Sequence, residues 1–387
     1  MSTKFPLQKL KELNTPFYLY DLSLLRNTIS SIKDCIKKHN NWNVHYAVKA
    51  NANPKILSEI SKAGLGLDCV SGGEIKKGLE CGFNAKEIVF AGVGKSDWEI
   101  KLALENNIHS FNVESVPELE IINELSLAMG KTASVAFRVN PNVDAHTHEK
   151  ITTGLNENKF GIALDDLLPT IQRCTQLSNV KYVGLHFHIG SQITNLEVYK
   201  NLCYKINNIQ SELESAGIKT SSINVGGGLG IDYEFPEKNP IADFKTYFSI
   251  FEKYLELRPS QELHFELGRS IVGQCGYLLS KVLFSKEGHT KNFLILDAGF
   301  TDLIRPAMYQ ALHKIENISR CSSQKDGIYD VVGPICESSD VFGKDIELPF
   351  SERGDMIVLY SAGAYGETMS STYNCRELPN SYFIEEL

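Results

Sequence analysis

Apolar and polar positions follow two alternating patterns along the first two thirds of the chain. Short apolar runs bounded by turn residues predict buried strands, and apolar residues spaced three and four apart predict helices between most of them. The predicted strands are the first half of Val44–Pro54, then Leu65–Val70, Glu87–Ala91, Ser110–Val113, Ala133–Val139, Lys181–His188, Ser222–Val225 and Glu262–Glu266. The predicted helices include Gly73–Cys81, Asp97–Glu105, Val116–Met129 and Leu164–Gln176.

Eight strands alternating with helices over about 240 residues indicate an α/β fold in which a parallel (β/α)8 TIM-like barrel closes on itself. The alternative, an open doubly wound sheet, more often stops at about five or six strands. We expect the barrel to span residues 24–270.

After Ile271 the pattern changes to short apolar runs broken by turns, without a long helical period. This pattern predicts a mostly antiparallel β domain over residues 271–387. We expect residues 1–23 to complete it through the apolar segment Phe17–Tyr20, after which Asp21 or Ser23 caps a helix. The predicted strands of this domain are Gly276–Phe284, Phe293–Leu296, Tyr329–Val332 and Asp355–Tyr360.

The unusual polar residues of the barrel segment follow or finish the predicted strands instead of beginning them. Because barrels carry their active sites at the C-terminal ends of the strands, this placement predicts one site at that face. The residues are Lys49, Asp68, Ser71, Arg138, Asn140, His188, Ser191, Gly226, Gly227, Gly228, Glu266 and Arg269.

Lys49 is predicted to lie among the last residues of the first barrel strand. A lysine that faces a desolvated crevice loses some of its preference for the ammonium form, and its neutral amine is the nucleophile of Schiff-base chemistry. The alternative is an ordinary solvated lysine at a strand end, because buried lysines are rare.

Three other features each allow a functional and a structural interpretation. The run Gly226–Gly228 offers unhindered N–H groups that suit a phosphate, but it can equally form only a tight turn. It does not match a dinucleotide-binding motif, because the third glycine and the following helix are missing. His186 and His188 suggest a metal, but no third ligand has matching spacing, and an imidazole can equally lie against an aromatic cofactor. Glu266 either forms a salt bridge or keeps a ring nitrogen protonated.

Composition narrows the classes of partner. The net charge is −8 and no Lys/Arg cluster is present, which disfavours nucleic acid and anionic membranes. The nine cysteines are scattered without a CxxC motif, and no apolar run is long enough for a leader or a membrane span. We therefore expect a cytoplasmic protein that binds a small molecule and no metal.

A series of motifs, in order along the chain, resembles that of diaminopimelate decarboxylases, which are pyridoxal 5′-phosphate (PLP) enzymes of the alanine-racemase-like barrel fold. The resemblance extends from Pro16 to Tyr373 and is more specific than any single motif. One departure is Leu267, where the family usually has proline. The motifs are Tyr46–Asn51, His188–Gln192, Gly226–Gly228, Glu266–Arg269, Arg305–Tyr309, Cys336–Asp340 and Gly363–Gly366.

The resemblance implies a role for individual residues. Lys49 would bind the cofactor covalently, His188 would stack on its ring, and Glu266 would pair with the ring nitrogen. Cys336 would donate a proton from the other subunit of a homodimer. The phosphate would contact Ser191, Gly226, Gly227, Gly228, Gly268 and Arg269, with Asp68, Arg138 and Tyr365 as further cofactor residues. The substrate would contact Arg269, Arg305, Tyr309, Glu337 and Tyr365.

The implied reaction is decarboxylation of meso-2,6-diaminopimelate to L-lysine and CO2, the last step of lysine biosynthesis. Arg269 and Arg305 can hold the distal carboxylate of this substrate, and Glu337 can hold its distal ammonium group. Ornithine-, lysine- and arginine-type decarboxylases share the barrel, but their substrates lack a distal carboxylate. A racemase would leave the Cys336 motif unexplained. A non-catalytic PLP-binding protein, an alternative of a different class, resembles the barrel alone.

Overall fold

The computed structural model describes residues 5–142, 159–320 and 323–387. The strands in chain order are β1 (Phe17–Tyr20), β2 (Trp42–Ala47), β3 (Gly66–Cys69), β4 (Ile88–Phe90), β5 (Ser110–Val113), β6 (Ala133–Arg138), β7 (Val180–His186), β8 (Ser222–Asn224), β9 (Glu262–Leu267), β10 (Gly276–Glu287), β11 (Asn292–Leu296), β12 (Ile315–Asn317), β13 (Gly327–Val332), β14 (Val341–Leu348), β15 (Met356–Leu359) and β16 (Asn380–Phe383).

The α-helices in chain order are α1 (Leu7–Lys11), α2 (Leu22–Ile36), α3 (Pro54–Lys62), α4 (Gly72–Glu80), α5 (Asp97–Asn106), α6 (Val116–Ala128), α7 (Leu164–Thr175), α8 (Glu197–Ser215), α9 (Phe244–Tyr254), α10 (Arg269–Val272) and α11 (Arg305–Tyr309). None of them is both long and apolar enough to cross a membrane, within the part of the chain that the structure describes.

The chain divides into two compact units. One consists of Ile29–Gly230 with Asp243–Gly268, and the other of Met1–Thr28, Ile231–Ala242 and Arg269–Leu387. The loop 231–242 therefore groups with the C-terminal part of the chain, where Glu237 forms an ion pair with Lys314. The domain boundaries that we expect from the sequence, 24–270 and 271–387, stay a prediction.

The first unit is a closed barrel of eight parallel strands, β2 to β9, whose spatial order follows the sequence order. This finding confirms the predicted (β/α)8 class. Several helices begin immediately beyond the preceding strand because a polar side chain caps them. The side chains of Asn53, Ser71 and Ser115 accept N–H groups of the first turns of α3, α4 and α6. Each cap ends the loop and so limits how far it extends from the barrel.

Two sequence predictions about strand ends are wrong. Lys49 lies beyond β2, in a short 3-10 turn over Val48–Ala50. The Tyr46 hydroxyl donates to the Asn51 carbonyl oxygen (2.8 Å) and holds this turn against the strand end. His188 likewise lies beyond β7, which ends at His186. Both side chains therefore belong to connections and not to the regular ladder.

Aromatic side chains form much of the core between the barrel and its helices. The ring of Phe265 on β9 packs against those of Trp42, Phe248 and Phe251, with centroid separations of 5.3, 4.9 and 5.2 Å. Aromatic pairs at such separations contribute about 0.5–1.5 kcal/mol each beyond the area that they bury. This packing fixes β9, which carries Glu266.

The second unit contains a mostly antiparallel sheet in the order β12-β15-β10-β11-β13-β14, with β1 beside β10 and β16 beside β1. The sheet confirms the predicted β architecture, although the pairs β11–β13 and β1–β16 are parallel. Sequence patterns missed β12, β14 and β16. Strand β12 has only three residues, and most positions of β14 and β16 are half-buried or exposed, so none of them shows a continuous apolar run.

Candidate active site

A cavity of about 380 Å³ opens within the barrel unit. Its volume lies in the range of small-molecule sites, roughly 300–1,000 Å³. Lys49, Asp68, Arg138, His188 and Glu266 line it together, although they are far apart in sequence. The structure thus gathers these sequence candidates at the loops and strand ends where we expected them.

Glu266 is a buried carboxylate, 5% exposed, at the base of this arrangement. Its Oε1 accepts hydrogen bonds from the side-chain amides of Asn112 (3.0 Å) and Asn224 (2.7 Å). Its Oε2 lies 2.9 Å from Nε2 of His186, which donates because a carboxylate can only accept. Three strands, β5, β7 and β8, therefore hold one carboxylate on β9.

The donors around Glu266 decide its charge. Burial by itself raises the pKa of a carboxyl group. His186, through its charge and its hydrogen bond, and then His188 and Lys49 outweigh that effect and hold the pKa of Glu266 well below its usual range. Glu266 is consequently ionised at neutral pH.

Asp68 behaves in the opposite way. Burial, followed by the negative charge of Glu266, raises its pKa well above the usual value. Its Oδ1 is buried and has no hydrogen-bond partner among the described residues. The cavity therefore contains one carboxylate that is held ionised and a second one that is driven toward the neutral form.

The environments of Lys49 and His188 differ from the sequence expectation. Lys49 is exposed in the described chain instead of desolvated, and it interacts electrostatically with the carboxyl groups of Asp68 and Glu74. His188 is half-buried, and burial, followed by the positive charges of Lys49 and Arg138, holds its pKa well below the usual value. His188 is therefore a neutral ring, and its Nδ1 accepts a hydrogen bond from the N–H of Gly227 (3.4 Å).

The glycine run forms a turn that admits no side chain. A Cβ on Gly226 would lie 2.2 Å from the Phe187 carbonyl oxygen, and one on Gly227 would lie 1.8 Å from that of Glu266. Ile193 pairs with this loop, because its N–H donates to the Gly228 carbonyl oxygen (2.8 Å). The pairing brings the segment that contains Ser191 beside the glycine run. As the sequence predicted, no helix follows directly: Asp232–Pro236 is loop.

The second unit holds a cluster of arginine and tyrosine side chains. The guanidinium carbons of Arg269 and Arg305 lie 5.9 and 4.5 Å from the ring centroid of Tyr233, and Arg269 Nη1 donates to the Tyr233 hydroxyl (2.7 Å). Arg269 also lies 4.8 Å from the ring centroid of Tyr365, whose backbone adopts a left-handed φ of 56°. The Tyr309 side chain also interacts electrostatically with the guanidinium groups of Arg269 and Arg305. Two cations next to one ring form a concentrated positive site.

His313 orients Arg305 without neutralising it. His313 Nδ1 lies 2.8 Å from the Tyr360 carbonyl oxygen, so this nitrogen carries the proton, and Nε2 accepts from Arg305 Nη1 at 2.7 Å. Burial, followed by the charge of Arg305, lowers the pKa of His313 to about 3. Among the described carboxylates, none forms an ion pair with Arg305. The guanidinium thus keeps its charge for a ligand.

Cys336 and Glu337 lie in an exposed turn of the second unit. Buried Asp340 anchors this turn, because its carboxylate accepts the N–H groups of Ile335 (2.7 Å) and Phe300 (2.6 Å). Glu337 accepts a hydrogen bond from the Tyr373 hydroxyl (2.7 Å). The thiol and the carboxylate are therefore presented on a fixed loop.

Sequence reasoning missed several residues that organise these clusters, namely Asn112, Asn224, Tyr233 and His313. A signal was present for the first two. Each asparagine interrupts a short apolar strand, Ser-Phe-Asn-Val and Ser-Ile-Asn-Val, and a polar side chain in a buried strand needs a partner. No comparable signal marks Tyr233 and His313, which lie in irregular segments.

Comparisons with known proteins agree with these clusters. A family model described as "Pyridoxal-dependent decarboxylase, pyridoxal binding domain" matches residues 23–273. Diaminopimelate decarboxylase from Bacteroides thetaiotaomicron is 59% identical over 99% of this chain and 99% of that protein. This chain belongs to the diaminopimelate decarboxylase family. The resemblance seen in the motif series is confirmed.

Further members of the diaminopimelate decarboxylase family are similar in sequence and structure. The protein from Helicobacter pylori strain J99 is 41% identical over 94% of this chain and 88% of its own length. A crystal structure of Helicobacter pylori diaminopimelate decarboxylase complexed with L-lysine matches with a TM-score of 0.92 at 39% identity, covering 98% of this chain and 94% of that one.

The family uses PLP, and the barrel cavity fits this cofactor. Glu266 accepts three hydrogen bonds from protein donors. A carboxylate can accept about four, so one position remains for a protonated ring nitrogen. Oδ1 of Asp68 is a second buried polar atom, and it has no hydrogen-bond partner among the described residues.

The depressed pKa of Glu266 predicts a specific pH dependence of stability. The ionised group contributes stability above its unfolded pKa of about 4.3, and this contribution is lost as the pH falls toward the lower folded pKa. In an Asp68→Asn background, which removes the coupled titration, adding Glu266→Gln should reduce the free energy of unfolding more at about pH 5.5 than at about pH 4. Urea denaturation at both pH values measures this difference.

The exposed Glu287→Gln, in the same background, is the matched control and should change stability little at either pH. An effect of Glu266→Gln that is equal at both pH values would contradict the inference that the folded protein holds this carboxylate ionised.

Proposed function

We propose that this chain catalyses the decarboxylation of meso-2,6-diaminopimelate to L-lysine and CO2, the last step of lysine biosynthesis. Family membership at 59% identity over nearly the whole chain supports the reaction. The observation on this chain that carries the proposal is the buried ionised Glu266, which lines one cavity with the amine of Lys49.

The residues named by the motif series would hold the cofactor in a defined way. PLP, when bound, supplies a sink for the electron pair that remains after CO2 leaves. Lys49 would attach it, the neutral ring of His188 would lie against it, and Glu266 would accept from its ring nitrogen. Ser191, Gly226 to Gly228, Gly268 and Arg269 would surround the phosphate.

The remaining task of the barrel is to keep Glu266 charged and fixed. Asn112, Asn224 and His186 point their donors at the carboxylate, so that no reorganisation is needed when charge develops nearby. Arg138 is tied to Glu114 in a buried ion pair of 2.9 Å and lies 4.6 Å from the ring centroid of Phe160. This pair keeps Arg138 at the cavity wall.

Lys49 is predicted to be the attachment lysine. Reduction of the purified holoenzyme with borohydride should fix the pyridoxal group to Lys49, located by mass spectrometry of the digested protein. Lys49→Ala should lose CO2 release from diaminopimelate. Exposed Lys37→Ala should keep both properties. Modification of a different lysine, or full activity of Lys49→Ala, would contradict the assignment.

The proposal assigns recognition of the distal end of the substrate to the second unit. The distal carboxylate needs cations, and Arg269 and Arg305 supply two next to Tyr233. The distal ammonium group needs an acid, for which we propose Glu337. Tyr309 and Tyr365 would complete this subsite beside the arginines.

Arg305→Ala is expected to impair use of diaminopimelate much more than PLP binding. Loss of a charge-assisted contact in a buried site costs on the order of 2–5 kcal/mol, which corresponds to roughly 30- to 5,000-fold in kcat/KM. Activity is measured as CO2 release and cofactor content by absorbance. The exposed Arg353→Ala is the control. If loss of PLP accounts for all of the lost activity, Arg305 is a cofactor residue and the assignment fails.

We further propose a homodimer in which each active site uses Cys336 of the partner subunit as the proton donor to Cα. The family resemblance suggests this arrangement, and the exposed position of the Cys336 turn supports it. In a symmetric dimer such a contact occurs twice, giving two equivalent sites.

Mixing two inactive variants tests the shared site. A heterodimer of Lys49→Ala and Cys336→Ala has one site with both defects and one with neither. Random subunit exchange makes about half of the dimers heterodimers, so activity should rise toward roughly a quarter of wild type. Labelled subunits verify the exchange. If exchange occurs and no activity returns, the shared-site model is wrong.

We also propose that the protein functions in the cytoplasm. The eight cysteines that the structure describes are all free thiols, which agrees with a reducing compartment.

A further inference from the structure

A second group of polar side chains lies at the opposite end of the barrel from Lys49 and Glu266. His109 directly precedes β5, and Glu262 and His264 lie at the start of β9. One potential ligand atom from each of the three lies within 4.8 Å of the other two. Because Glu262, His264 and Glu266 alternate along β9, their side chains point to the same side of the strand.

The hydrogen bonds of His45 fix the protonation of His264. His45 Nδ1 lies 3.0 Å from the Glu87 carbonyl oxygen, which can only accept, so the His45 proton is on Nδ1. His45 Nε2 then offers a lone pair to His264 Nδ1 at 2.9 Å, and His264 must donate. Gly66 makes this arrangement possible, because a Cβ there would lie 2.4 Å from His45 Nδ1.

In the neutral tautomer that these hydrogen bonds select, the lone pair of His264 lies on Nε2. His264 is 3% exposed, and its Nε2 is buried without a hydrogen-bond partner among the described residues. Oε2 of Glu262 lies 3.3 Å from this nitrogen. A lone pair that faces a carboxylate is unfavourable unless a proton or a metal cation lies between them. His109 adds a second imidazole, 5.1 Å from that of His264 between ring centroids.

We propose that His109, Glu262 and His264 form a binding site for a divalent transition-metal ion of the zinc type. Two imidazoles and one carboxylate are typical zinc ligands, and the fourth position would take water. Bonds of about 2.0–2.1 Å at tetrahedral angles place neighbouring ligand atoms about 3.3–3.4 Å apart, in agreement with the separation of His264 Nε2 and Glu262 Oε2. Metal-binding histidines usually donate their other N–H within the protein, as His264 does to His45.

The position of the site suggests a structural role. Strand β5 lies four strands from β9 in either direction around the ring, so the ion would link opposite sides of the barrel. This link lies at the end of the barrel away from the cavity. We therefore expect the ion to stabilise the fold without taking part in decarboxylation.

Zinc titration of the holoenzyme tests the proposal. The protein, with PLP bound, is treated with a chelator, dialysed and titrated with Zn²⁺ by calorimetry, with bound metal counted by elemental analysis. Wild type should bind one more Zn²⁺ per chain than Glu262→Gln or His264→Asn, or bind it at least tenfold more tightly. Zn²⁺ should raise the melting temperature of wild type and not that of Glu262→Gln, whereas kcat should be the same in both.

Matched controls separate this site from adventitious binding. Glu287→Gln and His289→Asn remove one exposed carboxylate and one exposed imidazole elsewhere and should bind Zn²⁺ as wild type does. The free cysteines are the same in every variant, so any Zn²⁺ that they bind contributes equally to wild type and variants and does not affect the difference between them. Because Glu262 is half exposed, Glu262→Gln should fold even if His264→Asn does not. Equal binding in wild type and Glu262→Gln, or no binding in wild type because a proton bridges His264 and Glu262, would overturn the proposal.

Discussion

The burial of one negative charge, on Glu266, is the constraint on which the barrel site depends. An uncompensated carboxylate in this position would take up a proton, because desolvation favours the neutral acid. Asn112, His186 and Asn224 prevent this by donating three hydrogen bonds from three different strands. The donors converge only when the barrel is closed. The ionised state of Glu266 therefore depends on complete folding of the barrel unit.

The same charge organises the rest of the cavity. After burial, it is the next cause that raises the pKa of Asp68, and it opposes the effect of Lys49 and Arg138 on His188. A neutral imidazole, an ionised carboxylate and a second carboxyl group with a raised pKa thus occur within one pocket. Sites that bind an aromatic, protonated cofactor require such contrasting neighbours, and burial with directed hydrogen bonds supplies them here without a strained backbone at these residues.

The second unit contains two buried arginines, and no ion pair among the described residues neutralises the positive charge of Arg305. Arg269 and Arg305 repel each other, yet both pack against Tyr233, whose ring face attracts cations. Neutral His313 satisfies one donor of Arg305 without supplying a counter-charge. The cluster therefore keeps positive charge available for an anionic group such as a carboxylate.

The sequence by itself determined the fold class, the order of the barrel strands and the residue types at their C-terminal ends. The reason is that local periodicity and turn chemistry dictate these features. It also identified Glu266 and Lys49 through the motif series, but it placed Lys49 and His188 inside strands that end before them. Only the tertiary structure decided that Asn112 and Asn224 converge on Glu266, that Tyr233 joins two arginines, and that His109 meets His264 across the barrel. Those contacts depend on closure of the ring and on loop paths, which no local pattern encodes.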